Sequence, residues 1–283
     1  MLQINEKYYD LVSFIYTYGK WETCRKYTTK ELLVNSSVIS MNSPLVTLTK
    51  RNLGYRFALA EAAWVLSGDN KLETILPYSK MINNFSDDGH TFFGAYGPPI
   101  VDQLEYIGRA FKKDLFTRQA VLTIWRKKPP NSADIPCTIS VQFIIRNNND
   151  ELTLHLIDSM RSSDAWLGVP YDWFTFSMLG AYVAIYLENI LKINIKLGNL
   201  YMIAGSQHLY KNGFGYSDLT TEHFLESPSE ESFTYKPINL GEFKKPTDLT
   251  NHLWNLARGG SNIYSNWLAE LLTYWKKGAT VCE

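Results

Sequence analysis

Cys137 follows a proline and opens CTISVQFIIR, a stretch rich in β-branched and aromatic residues. A thiol at a strand edge facing a cleft can serve as a nucleophile, because the thiolate attacks electrophilic carbon readily. A lone cysteine is, on its own, more often a small buried hydrophobe. Further along, Arg161-Ser162-Ser163-Asp164 brings a guanidinium, two hydroxyls and a carboxylate together. Such a set can grip an anion and accept a hydrogen from a ligand, although in isolation it is more often a solvated turn. Glu61 interrupts the apolar run ALAEAAWVL. Its flanks would keep it partly from water, raise its pKa and suit it to acid–base work. His208 and Tyr210, in GSQHLY, share one face if that segment is a strand. They are either satisfied core residues or a pair that binds a sugar hydroxyl.

The elements that must position these groups are legible from periodicity. Tyr8, Leu11, Val12, Ile15 and Tyr16 fall at helical spacing within 4–18. GYRFALAEAAWVLS, 54–67, is a second helix with Gly68-Asp69-Asn70 as its stop, and 101–113 is a third, closing on Lys112-Lys113. The period then changes to that of strands at 119–125 and 137–146. Asn147-Asn148-Asn149-Asp150 is a turn signal, after which Leu152, Leu154 and Leu156 alternate with polar residues. That pair predicts an antiparallel hairpin. A long apolar helix follows Pro170 to about Asn189, and 195–206 is another strand. Residues 215–250 are polar and contain prolines, and 250–277 returns to a helical pattern around Trp254, Leu256, Trp267, Leu271 and Trp275. No repeat, low-complexity tract or linker divides the chain, so 1–283 reads as one α+β domain with a divergent C-terminal helical region over 215–283.

Composition narrows the class. With 283 residues, 45% hydrophobic and 20% charged, the chain can bury a substantial core. Zero formal net charge argues against a surface for nucleic acid, while a local basic cluster can still hold one phosphate. The cysteines are Cys24, Cys137 and Cys282, with no CxxC pair, so neither a metal knuckle nor a disulfide framework is expected. The N-terminus lacks the pattern of a signal peptide, and no uninterrupted apolar stretch suggests a membrane span. A reduced, cytoplasmic protein without a metal is the expectation.

Four segments, in this order, resemble the thymidylate synthase superfamily, including its hydroxymethylase members. They are SPLVTLTKRNLGYRFALAEAAWVLSGD at 43–69, PCTISVQF at 136–143, RSSDAWLGVPYD at 161–172 and GSQHLY at 205–210. Any one is a weak signal; four that are co-linear are specific. The likeness covers roughly 40–215. It implies a large mixed or antiparallel sheet backed by helices, and a homodimer joined through the sheet face with shared active sites. It also implies a pyrimidine nucleoside monophosphate as substrate and 5,10-methylenetetrahydrofolate as cosubstrate. Carried over position by position, Cys137 is the nucleophile that attacks C6, with Arg charge helping to lower its pKa, and Glu61 relays protons to the pyrimidine's 4-substituent. Arg161 and Ser162 hold the 5′-phosphate, and Gln142 lines the base site. His208 and Tyr210 bind the ribose, while Asp164 and Tyr96 serve the folate. Arg118 reaches the partner subunit's phosphate, and Arg25 is a looser match to a further phosphate ligand.

The departures from the family pattern refine the substrate. Asp172 stands where thymidylate synthases usually carry Asn, as in the cytidylate hydroxymethylases. An ionised carboxylate repels O4 of uracil but accepts from the 4-amino group of cytosine, and either it or N3 must hold a proton. Thr138 replaces the usual His, and Gln119 replaces the second arginine of the cross-subunit pair. Phe85, Phe92, Phe93 and Tyr96 occupy the region where tryptophans are common, and the chain ends GATVCE. Loss of these features would admit water to the exocyclic methylene and give a hydroxymethyl product. The expected function is C5 hydroxymethylation of CMP or dCMP. The alternatives are a thymidylate synthase or uridylate-modifying variant, and a non-catalytic nucleotide-binding paralogue.

Overall fold

The computed structural model describes residues 3–24, 27–213, 216–226 and 235–260. Its centre is a mixed sheet of β1 (Lys20–Cys24), β2 (Tyr27–Ser40), β3 (Val121–Thr123), β4 (Thr138–Asn148), β5 (Glu151–Met160), β6 (Ser163–Asp164) and β7 (Lys196–Tyr210). The strand order is β1-β2-β7-β5-β4-β3, with β6 paired to β7. Neighbours are antiparallel except that β7 runs parallel to both β5 and β6.

The β4–β5 hairpin forms where the turn signal lies. Asn149 and Asp150 both adopt left-handed backbone, φ 51° and 65°, the conformation a tight hairpin turn needs and these residue types tolerate. Parallel pairing of β5 with β7 requires a long crossover, and α5 (Val169–Leu191) supplies it. Helices α1 (Ile4–Tyr18), α2 (Tyr55–Leu66), α3 (Leu72–Ile75), α4 (Gly97–Lys113), α6 (Asp218–Leu225) and α7 (Pro246–Ala257) complete the fold. α4 begins before the periodic stretch because Pro98 and Pro99 sit in its first turn, where a missing amide costs nothing.

Strand alternation divides the sheet into two faces. Val141, Phe143 and Ile145 of β4, Leu154 and Leu156 of β5, and Leu200, Met202 and Ala204 of β7 are buried on one face. α5 packs against β5 and β7, and α2 lies among α4, α5 and α7. By length and apolarity alone α5 could cross a membrane; here the apolar surround is the protein core, with Trp173, Phe174, Phe176 and Leu179 buried. On the opposite face Ile203 is exposed, and in β2 the adjacent Leu33 and Val34, the latter with left-handed backbone (φ 53°), are both exposed.

The structure departs from the sequence reading at two places. The periodicity marks no element over 20–40, where β2 is a long strand next to the sheet's edge and β1 its hairpin partner. The inward alternation of β2 is weak, because most of its residues are only partly buried. The helical pattern over 250–277 does not continue unbroken: α7 ends at Ala257, and Gly259 takes a left-handed conformation, φ 80°. Trp267, Leu271 and Trp275 lie outside the described residues, as do Arg25 and Cys282.

Candidate active site

Cys137 sits immediately before β4, partly buried, in a loop fastened by Arg161. The Arg161 amide donates to the Cys137 carbonyl at 2.8 Å, and its Nε and Nη2 donate to the carbonyls of Pro136 (3.0 Å) and Ile135 (2.8 Å). The guanidinium therefore builds the nucleophile loop before it can hold a ligand, and Nη1 is the donor outside these bonds. Burial pushes the Cys137 thiol up to about 11. Arg161 opposes this, while Asp172, Asp134 and Asp164 add to it. Arg161 does draw this pKa down, as expected of a nearby guanidinium, but desolvation outweighs it.

Beside the thiol, Tyr96 arrives from the start of α4. Its Oη accepts from the Thr138 amide at 3.3 Å, and its ring stacks on Phe176 of α5, centroids 6.0 Å apart. Tyr96 is thus tied to the nucleophile strand, beyond any contact it makes with a folate.

The turn from β6 into α5 carries Asp164 and Asp172. Asp164 Oδ1 accepts from the amides of Trp166 (2.7 Å) and Leu167 (3.1 Å), which shapes the turn and leaves Oδ2 for a ligand. Burial raises its pKa, and His208 and Arg51 draw it back. Asp172 stands in the first turn of α5, above Gly168, where an added Cβ would lie 3.1 Å from Asp172 Oδ2. Burial, then the charge of Asp164, raise Asp172 to about 7. Glu61 of α2 is pushed to about 8 by burial and then by Asp172, with Thr175 of α5 drawing it down. Each of these groups keeps some exposed surface, yet protein surrounds it closely enough to penalise charge. The result is a ladder of raised carboxyls, in which Asp172 ionises near neutrality and Glu61 above it.

His208 is nearly buried, its ring edge-on to Tyr210 at 5.1 Å, and it pairs across β6–β7 with Asp164. Its Nδ1 has no hydrogen-bond partner among the described residues. Ser162 lies partly buried between Arg161 and β6. Cys137, Glu61, Tyr96, Arg161, Ser162, Asp164, Asp172, His208 and Tyr210 therefore gather around the start of α5 and the adjoining strand ends.

Gln142 lies elsewhere, and the resemblance assigns Arg118 to a partner's site rather than to this one. Gln142 belongs to the opposite face of β4 from Val141 and Phe143, and its Nε2 donates to the Arg118 carbonyl at 2.8 Å. Arg118 is exposed on the approach to edge strand β3. Phe92 is buried edge-on to Trp64, ring centroids 5.5 Å apart, whereas Phe85 is exposed.

The sequence profile of the thymidylate synthase family matches residues 6–228. The chain belongs to the thymidylate synthase family. It is 27% identical over 231 residues to the deoxyuridylate hydroxymethyltransferase of Bacillus phage SP01, covering 74% of this chain and 57% of that one. It is 25% identical over 227 residues to the thymidylate synthase of Buchnera aphidicola subsp. Baizongia pistaciae, covering 76% and 78%. A deoxyuridylate hydroxymethyltransferase of Pseudomonas phage M6 is 29% identical over 164 residues, 55% of this chain and 44% of that relative. The chain thus spans only about half the length of the two phage relatives.

Three groups in this family member escaped sequence reading. Arg51 is buried, donating from Nε to Tyr8 Oη (2.7 Å) and from Nη2 to the Trp166 carbonyl (2.6 Å), so it braces the Asp164 turn. Thr175 sits beside Glu61. Asp158 is fully buried on β5; the signal was available, because it continues the alternation of Leu154 and Leu156.

Proposed function

We propose that this protein transfers a one-carbon unit to C5 of a pyrimidine nucleoside monophosphate, and that it makes 5-hydroxymethylcytidylate from CMP or dCMP. The carrying observation is Asp172, a carboxyl held near neutrality beside Glu61 and Cys137. When protonated it donates to N3 of cytosine and accepts from the 4-amino group, meeting both groups of that edge.

The chemistry follows from the residues. Cys137 adds through sulfur to C6 as its proton leaves, and electron density moves toward C5 and the 4-position. Asp172 holds N3, and Glu61, largely protonated at neutral pH, can give a proton near the 4-substituent and take one back. 5,10-Methylenetetrahydrofolate supplies the one-carbon unit at the oxidation level of formaldehyde. Asp164 fits a ring N–H of such a molecule with its unused acceptor Oδ2, and the buried Trp64 Nε1, without a partner among the described residues, is an unmet donor. Once the C5–carbon bond has formed and the C5 proton has departed, the bond from that carbon to the folate nitrogen breaks and tetrahydrofolate leaves; water then adds to the exocyclic methylene as the C6–sulfur bond breaks and the thiol regains its proton. Arg161, Ser162, His208 and Tyr210 would hold phosphate and sugar.

A second reading has its own support. Two relatives are named deoxyuridylate hydroxymethyltransferases, and a protonated Asp172 can also donate to O4 and accept from N3–H of uracil. Incubation with CMP, dCMP, UMP and dUMP plus methylenetetrahydrofolate, followed by mass spectrometry, separates these readings. Hydroxymethylated cytidylate without dihydrofolate supports the first; product from uridylate alone supports the second.

A further inference from the structure

Two carboxyls outside the scheme above fasten the loop that leads to Tyr96 to the loop that leads to Cys137. Asp134, just upstream of the thiol, accepts through Oδ2 from the amide of Gly94 at 2.6 Å. Gly94 is buried and lies just upstream of Tyr96. In return, Asp87 of the Tyr96 loop accepts from the Ser132 hydroxyl at 2.5 Å and from the Ala133 amide at 2.9 Å. Ser132 Oγ also accepts from the Asp134 amide at 2.9 Å, so it links the two halves of the clasp. The Arg126 guanidinium lies over the Phe93 ring, 4.3 Å from its centroid, and makes a third crossing between the same loops. The fit at Gly94 is close. A Cβ there would lie 2.5 Å from the Asp134 carbonyl oxygen and 2.9 Å from its Oδ1, so only glycine lets the carboxyl seat against this amide.

These contacts decide where Tyr96 stands. Its backbone is fixed on one side by the Gly94–Asp134 bond and on the other by Gly97, which abuts the carbonyls of Val65 and Asp69. Between them the Tyr96 hydroxyl accepts from the amide of Thr138, the residue after the nucleophile. Burial and then the charge of Cys137 hold Tyr96 above its ordinary pKa, and Asp134 is among the carboxyls that add to the effect of burial on Cys137, so the three groups share one neighbourhood. We propose that Asp134 is a positioning residue: its bond to Gly94 holds the Tyr96 hydroxyl at a fixed separation from Cys137, with Asp87 as the outer half of the same clasp. Reacting groups displaced by about 1 Å lose on the order of a hundredfold in rate. The tie therefore acts on the chemical step more than on nucleotide binding, whose candidate residues lie past the end of β5 and on β7. The inference rests on the C5-transfer reading and applies whether the base is cytosine or uracil.

The test uses the full chain with whichever of the four nucleotides it turns over best, and methylenetetrahydrofolate. Asp134→Ala should lower kcat roughly tenfold or more, with the nucleotide KM changed by about twofold or less. Asp134→Asn, whose carbonyl oxygen still accepts from the Gly94 amide, should stay within about threefold of the wild type. Tyr96→Phe supplies the second readout. Because Asp134 acts through Tyr96, adding Asp134→Ala to that variant should lower kcat by no more than about threefold further. Wild-type kcat in Asp134→Ala, an asparagine variant as impaired as the alanine one, or fully additive losses in the double variant overturns the proposal. If Asp134→Ala does not fold, Gly94→Ala takes its place: its methyl displaces the same carboxyl, and the same fall in kcat is expected. A wild type with no turnover on any nucleotide, or a Cys137→Ala variant that still turns over, overturns the C5-transfer reading and this inference together. A Cys137-dependent enzyme indifferent to Asp134 sinks the inference alone.

Discussion

A thiol held near 11 is almost wholly protonated at neutral pH, so Cys137 attacks only as a neighbouring base takes its proton. Alkylation reports this directly. Iodoacetamide should modify Cys137 slowly at pH 7 and progressively faster from pH 9 to 11, while exposed Cys24 reacts first and serves as the internal standard in peptide mass spectrometry. Fast labelling of Cys137 at pH 7 would mean that Arg161 outweighs burial after all. The base-reading role of Asp172 is testable by the same kind of single change. Asp172→Asn should lower kcat/KM for cytidylate and raise it for uridylate, because the amide pairs with N3–H and O4 without needing a proton. The lost cytosine contact is worth ~1–3 kcal/mol, about ten- to a hundredfold in kcat/KM. An unmoved ratio of the two rates would remove Asp172 from base recognition.

At the scale of elements, the site depends on how closely α4 can begin against the end of α2. A Cβ on Gly97 would lie 2.9 Å from the carbonyl oxygens of Val65 and Asp69, which are backbone atoms that cannot turn aside. Tyr96 is the residue just before this contact, and its hydroxyl meets the Thr138 amide. Gly97→Ala should therefore destabilise the protein by about 1–3 kcal/mol, and kcat should fall further than the loss of folded protein explains. Chemical denaturation and steady-state kinetics on the same preparation check both parts; a variant with wild-type midpoint and rate would show that α4 tolerates the shift. The two helices that carry the carboxyls were readable in advance, α2 from its helix formers and stop signal and α5 from its unbroken apolar bulk. β2 was not, because most of its residues are only partly buried and periodicity needs a clean inside and outside.

For the molecule as a whole, the buried carboxyls set a pH dependence. Asp172 and Glu61 titrate near 4 in the unfolded chain and near 7 and 8 when folded. The folded protein then binds more protons between those limits, so stability is fullest at the acid end of the window and is lost as pH rises through 7 to 8. Asp87 and Asp88 are lowered instead, and their contribution disappears only below pH 4. The melting temperature of the nucleotide-free protein should fall from pH 5 to pH 9; a rise over that range would contradict the ladder. The exposed apolar residues of the sheet, Ile203 on the face away from the core and Leu33 and Val34 in β2, suit a second copy of the chain, and exposed Arg118 lies toward the sheet's other edge. Mixing inactive Arg118→Ala and Cys137→Ala proteins under subunit exchange should restore activity in hybrid dimers. A monomer by sedimentation, or no recovery after verified exchange, would count against shared sites.

Sequence by itself determined the helix that bears Glu61 and the hairpin turn at Asn149-Asp150, and singled out the Cys137 and Arg161–Asp164 segments as candidates, since each is local chemistry written in adjacent residues. Family membership was also legible, because four separate segments kept their order. Only the tertiary structure decided what surrounds each group. It placed Gln142 on the face of β4 away from Val141 and Phe143, turned Arg161 toward carbonyls, and let burial raise Cys137 above what the nearby arginine takes off. It also buried Asp158 on the inner face of β5, where burial and then Asp172 raise its pKa. Those outcomes depend on desolvation and on contacts between strands and helices far apart in the chain, and neither quantity is carried by a residue's type or its immediate neighbours.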